Sequence, residues 1–136
     1  MTMGMSQRFG MALLAGAVAL GLAGTAAASV AEGRAALDRS DYRAAYNAFS
    51  NAAARGEIEG QYQLGLLHML GRGGMERDYP RAAQWFGRAA EGGHARAMYM
   101  LGNLYATGNG VALDYDRARR LILSAEPGLD SATRLS

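Results

Sequence analysis

Apolar residues along this chain recur at helical spacing, and glycines interrupt them at regular intervals. Within 42–54, Tyr42, Ala45, Tyr46, Phe49, Ala52 and Ala53 fall at i, i+3, i+4 and i+7, the stripe of a helix with one buried face. Helices are also predicted at Ile58–Leu70, Tyr79–Ala90, Ala95–Thr107 and Tyr115–Ser124, with a shorter one at Val30–Leu37. Asp38-Arg39-Ser40-Asp41, Gly56, Gly71-Arg72-Gly73-Gly74, Gly92-Gly93 and Gly108-Asn109-Gly110-Val111 separate them. Asp78 and Asp114 stand where a helix N-cap is needed, and Pro80 lies near a first turn, where its missing amide proton costs little. Glu126-Pro127-Gly128 is expected to end the array, leaving a short C-terminal tail.

The helices repeat in pairs. Tyr62 maps onto Tyr99, Leu64-Gly65 onto Leu101-Gly102, and Gly71-x-Gly73 onto Gly108-x-Gly110, at an offset of 37. Past the extra Gly74 the offset is 36, and Asp78-Tyr79 maps onto Asp114-Tyr115, with Arg81-Ala82 onto Arg117-Ala118. Asp41-Tyr42, Ala45, Phe49 and Ala52-Ala53 anticipate Asp78-Tyr79, Ala82, Phe86 and Ala89-Ala90. Helical repeats of this period stack into solenoids, because one unit cannot bury its apolar face alone.

These residues resemble the Sel1-like repeat family, a branch of the tetratricopeptide-like helical repeats, over about residues 41–125. One copy supplies Ala97, Leu101, Gly102, Tyr105, Gly108, Gly110, Val111, Asp114 and Ala118 of the family pattern. The copy before it supplies Leu64, Gly65, Gly71, Gly73, Asp78, Ala82, Trp85, Ala89, Ala90 and Gly93. His68 replaces the pattern's tyrosine, Met75 its valine, Gly60 its alanine and, in the last copy, Leu121 its tryptophan. The resemblance implies an all-α fold, a short right-handed α-solenoid of about three antiparallel helix pairs. Its units would be about 30–56, 57–93 and 94–125, in a repeat domain at 29–126 followed by a tail at 127–136. It also implies an adaptor role without identifying the partner.

Composition narrows the function. A chain of 136 residues with a formal net charge of +2 is not basic enough to imply nucleic acid or acidic lipid as a partner. Without cysteine there is no disulfide framework and no thiolate metal site. Residues 1–28 read as a secretory signal peptide: Arg8, an apolar and small-residue run from Phe9 to Gly24, then Thr25-Ala26-Ala27-Ala28 with small residues where a signal peptidase reads. Cleavage is expected after Ala28, with Ala27 as the neighbouring choice, and the mature chain is expected to be periplasmic or secreted, with no membrane association. The competing reading is an uncleaved anchor, since the run from Phe9 to Ala28 is long enough to span a bilayer.

Candidate chemistry is sparse. The Gly-x-Gly loops follow no strand and the chain has no lysine, so neither the P-loop nor the dinucleotide fingerprint applies. His68 and His94 lack any third ligand at metal spacing; His68 is expected to be a partly buried, hydrogen-bonded imidazole and His94 to be solvated. Asp78 and Asp114 read as caps rather than as an acid–base pair, and no nucleophile motif is present. No catalytic residue, cofactor or metal is therefore expected, and an envelope enzyme is the weakest reading. Tyr62, Trp85, Phe86, Tyr99 and Tyr105 sit at repeat positions and are expected in the core. The remaining feature is the outer stripe of the first helices, which line the binding side of stacked hairpins. With Ala97, Leu101, Leu104 and Tyr105 inward, Arg96, Met100, Asn103 and Thr107 face out, as do Glu59, Gln63, Leu66 and Leu70 one unit earlier. These eight are the candidate protein-binding residues. The other possibility is self-association through Leu121, Ile122 and Leu123, which no later repeat covers.

Overall fold

The computed structural model describes residues 25–133, with side chains from 29 to 129. The described residues form six helices and no strand: α1 (Thr25–Asp38), α2 (Tyr42–Ala54), α3 (Ile58–Leu70), α4 (Tyr79–Glu91), α5 (Ala95–Thr107) and α6 (Tyr115–Thr133). Each helix packs against the next in sequence, giving an all-α solenoid of three hairpins.

Aspartate starts the second helix of every hairpin. Asp41, Asp78 and Asp114 accept the backbone N–H of Ala44 (3.1 Å), Arg81 (3.0 Å) and Arg117 (2.9 Å), each satisfying an otherwise orphaned helix donor. Gly71 and Gly108 close α3 and α5 in the left-handed conformation, at φ 61° and 69°, where a side chain would be strained. After each such glycine the loop is pinned by one recurring bond: Asp78 N–H donates to His68 O at 2.8 Å, and Asp114 N–H to Tyr105 O at 2.9 Å.

The core lies in two layers, each shared by three successive helices. The first joins Ala36 of α1, Ala45, Phe49 and Ala53 of α2, and Leu64 and Leu67 of α3. The second joins Tyr62 of α3, Ala82, Ala83, Phe86 and Ala89 of α4, and Ala97, Leu101 and Leu104 of α5. A glycine on each first helix admits the facing side chain. A Cβ at Gly33 would lie 2.5 Å from the Phe49 ring, one at Gly65 would lie 2.7 Å from Phe86, and one at Gly102 would lie 2.8 Å from Ile122. Helices approaching this closely bury their apolar stripes with side chains as small as alanine.

Three expectations need correction. The helix expected from Val30 begins at Thr25, because Ala26, Ala27 and Ala28 are strong helix formers. The rest of the expected signal segment, residues 1–24, lies outside the described residues. The last helix does not stop at Ser124 but runs through Pro127 and Gly128 to Thr133. Proline removes one backbone bond there, while Ala125 is fully buried and Gly128 packs onto Ala95 at the start of α5, so tertiary contact overrides the breaker. Among the aromatics, Tyr62 and Phe86 are buried and Trp85 and Tyr105 half-buried, but Tyr99 is 41% exposed. Tyr62, by contrast, is covered by His94 of the next unit, stacked at 4.3 Å.

Candidate functional site

The structure divides the outer stripe of α3 and α5 into three parts. At its upper end Glu59 is the centre of a polar network rather than a free contact. It accepts from Gln63 Nε2 at 2.9 Å, pairs with the Arg34 guanidinium of α1 at 3.2 Å, and lies 3.0 Å from His94 Nε2. His94 Nδ1 in turn accepts the Ala97 N–H at 3.2 Å, capping α5, so the Nε2 proton is the one shared with Glu59. Burial alone would raise the Glu59 carboxyl, but the hydrogen bonds from Gln63, His94 and Arg34 outweigh it and hold it below its ordinary value. His94 is therefore not solvated as expected: it joins two units while Arg34 adds the third.

Leu66 is half-buried and packs on the second core layer, as does Met100 from one side. Arg96 stays exposed. The lower end of the stripe is different. Leu70, Met100, Asn103 and Thr107 converge on one groove of about 270 Å³ between α3 and α5, closed by Met69, Tyr79 and Arg77. Leu70 is 43% exposed. Arg77 lies over the Tyr79 ring at 5.6 Å and donates to its hydroxyl at 3.3 Å, which fixes a cation on the rim. Thr107 Oγ1 donates to Asn103 O at 2.8 Å, whereas the Asn103 side-chain amide has no partner among the described residues. Sequence reasoning missed Met69, Arg77 and Tyr79. Arg77 belongs to the glycine-loop connection and Tyr79 opens α4 directly after it, and the signal that could have found them is the loop's repeated return to the end of its first helix.

Of the three residues offered for self-association, Leu121 packs on the second core layer and Ile122 against Gly102 of its own unit. Leu123, 54% exposed, alone remains open. Among the described residues no group of three or more histidine and carboxylate side chains is gathered where it could hold a metal ion. None of the described helices is long and apolar enough to cross a membrane.

The hairpin geometry, the recurring loop bond and the glycine at each helix crossing correspond to a known repeat. The Sel1 repeat model matches residues 58–94 and 95–125. The chain belongs to the Sel1 repeat family. The SLR-fold protective antigen of uropathogenic Escherichia coli is 27% identical over 76% of this chain, with a TM-score of 0.71. A Sel1 repeat protein of Oxalobacter formigenes is 26% identical over 64% of it, with a TM-score of 0.61. This chain spans 23% of the first structure and 66% of the second. No curated protein matches it. Sel1 repeat proteins generally mediate protein–protein interaction, and the fold is typically a non-catalytic interaction module.

Proposed function

We propose that this Sel1 protein is a non-catalytic adaptor of a bacterial-type cell envelope that seats a protein partner on its first-helix face. The observation carrying the proposal is the groove in which Leu70, Met100 and Met69 form an apolar base beneath Asn103, Tyr79 and Arg77. Methionine, tyrosine and arginine side chains gathered in one groove are the composition of protein-binding hot spots. The partner-binding set thus narrows to Leu70, Met100, Asn103 and Thr107, joined by Met69, Arg77 and Tyr79. Glu59 ties neighbouring units together through Arg34 and His94, Gln63 steadies its carboxylate, and Leu66 packs on the second core layer. Placement in the periplasm or outside the cell rests on the apolar run Phe9–Gly24 and the small residues ending at Ala28.

The test is affinity capture from envelope extract with the wild-type protein and a Leu70→Asp/Asn103→Arg variant, both checked for native helicity. A partner retained by the wild type and lost by the variant is the expected result. Identical captures by both proteins would overturn the assignment of this face.

A further inference from the structure

The second helices present a larger groove on a different face. Between α2, α4 and the α3–α4 loop two hollows of about 640 and 330 Å³ meet, sharing Tyr46, His68 and Arg81 in their walls. One face of each helix lines them: Arg43, Tyr46, Asn47, Ser50 and Ala54 from α2, and Arg81, Gln84, Trp85 and Arg88 from α4. Both sets follow i, i+3, i+4, i+7 spacing, so the hollows form one trough running along the two helices. From 43 to 54 the trough is about 16 Å long at ~1.5 Å per residue, which matches about five residues of extended chain at ~3.3 Å each.

Two polar groups on its floor lack partners. His68 is only 6% exposed, and its ring meets Tyr46 edge-on at 5.6 Å but makes no hydrogen bond among the described residues. This differs from the hydrogen-bonded imidazole expected from sequence. Ser50 Oγ is buried without a hydrogen bond. Buried polar groups are normally satisfied, so the orphaned Ser50 Oγ, in the same trough as the unbonded His68 ring, marks where a ligand's donors and acceptors belong. Burial, and after it the Arg81 charge, holds the imidazole below its ordinary value against the weaker opposite pull of Asp78. An uncharged imidazole offers one donor and one acceptor, which is the complement of a peptide amide. The exposed amides of Asn47 and Gln84 on the two walls add the same chemistry.

Charge sets the partner's character. The trough's acids, Glu76 and Asp78, both sit at the loop end, and Asp78 is committed to capping α4 and to Arg81 at 3.6 Å. The remaining length carries only arginines, with Arg88 held over the Trp85 ring at 4.7 Å. We propose that this trough binds an extended peptide segment bearing carboxylates, with His68 and Ser50 pairing its amides and Arg43 and Arg88 pairing its acidic side chains.

The test is an NMR titration of the whole protein, following the assigned ring signals of His68 and His94. The probes are the capped hexapeptides (Glu-Ser)₃ and (Lys-Ser)₃, and sodium acetate at matched carboxylate concentration. The acidic peptide is expected to shift His68 saturably and leave His94 in place. Arg88→Glu, an exposed substitution, is expected to weaken that binding about tenfold with no change in helicity. The proposal is overturned if the basic peptide binds as well, if acetate reproduces the shift and so marks a simple anion site, if His68 does not respond, or if Arg88→Glu binds normally.

Discussion

Gly65 offers a quantitative test of how the hairpins are held. It lies inside α3 opposite Phe86, a fully buried side chain that is itself part of the second core layer. An alanine Cβ there would come within 2.7 Å of two ring carbons of Phe86. Ala82, Ala89, Ala97 and Leu101 share that layer, so the ring could retreat only by displacing packed neighbours. Overpacking of this kind costs about 1–3 kcal/mol, while replacing glycine by alanine in a helix interior returns about 0.8–1.0 kcal/mol. The net expectation for Gly65→Ala is a loss of about 0–2 kcal/mol. Gly87, in the interior of α4, supplies the control, since nothing lies within 4 Å of a Cβ built there. Gly87→Ala should therefore gain about 0.5–1 kcal/mol. The two variants should differ in Tm by about 2–24 °C, at about 4–8 °C per kcal/mol for a domain of this size. Thermal unfolding followed by circular dichroism at 222 nm measures both. If Gly65→Ala raises Tm as much as Gly87→Ala does, close approach at Gly65 is not what joins α3 to α4.

Further outcomes follow from the same contacts. Phe86→Ala should cost about 3–5 kcal/mol, enough to leave the chain largely unfolded at 37 °C by circular dichroism. Asp114→Ala should lose about 0.5–2 kcal/mol through the α6 cap, read as a fall in the urea midpoint with the slope unchanged. Glu59 has a folded pKa below its ordinary 4.5, so its contribution is complete above about 4.5 and is lost as pH falls through the folded value. Glu59→Gln should be less stable at pH 7 and show a shallower loss of Tm between pH 5 and 3. His68 titrates below its ordinary 6.5 in the fold; protonation thus favours the unfolded chain, and stability should decline as pH drops from about 6.5. His68→Gln should flatten that part of the profile.

Local punctuation made the helices legible. The aspartate caps, the glycines at 71 and 108 and the small residues facing Phe49 and Phe86 act within one hairpin, so periodicity alone locates α2 through α5. Contacts between units were less legible. His94 finds Glu59 thirty-five positions away, and no local pattern distinguishes that histidine from a solvated one. The continuation of α6 past Pro127 likewise depends on Ala95, in another helix. The eight-residue stripe assumed that outward-facing positions are alike, yet Leu66 packs on the second core layer and Glu59 is bonded to Arg34 and His94 of the neighbouring units, while Leu70, Met100, Asn103 and Thr107 line a groove. Arg77 and Tyr79 enter that groove through the fold of the connection, which helical spacing does not describe.

The central claim is that a different protein docks on the first-helix face. Site-specific photo-crosslinking in cells, with the reactive residue placed at Asn103 or at Leu123, tests it directly. The account predicts a crosslinked species at Asn103 containing this chain and one other protein, and none at Leu123. Crosslinks confined to Leu123, at the mass of two copies of this chain, would contradict it and identify the protein as a self-assembling repeat.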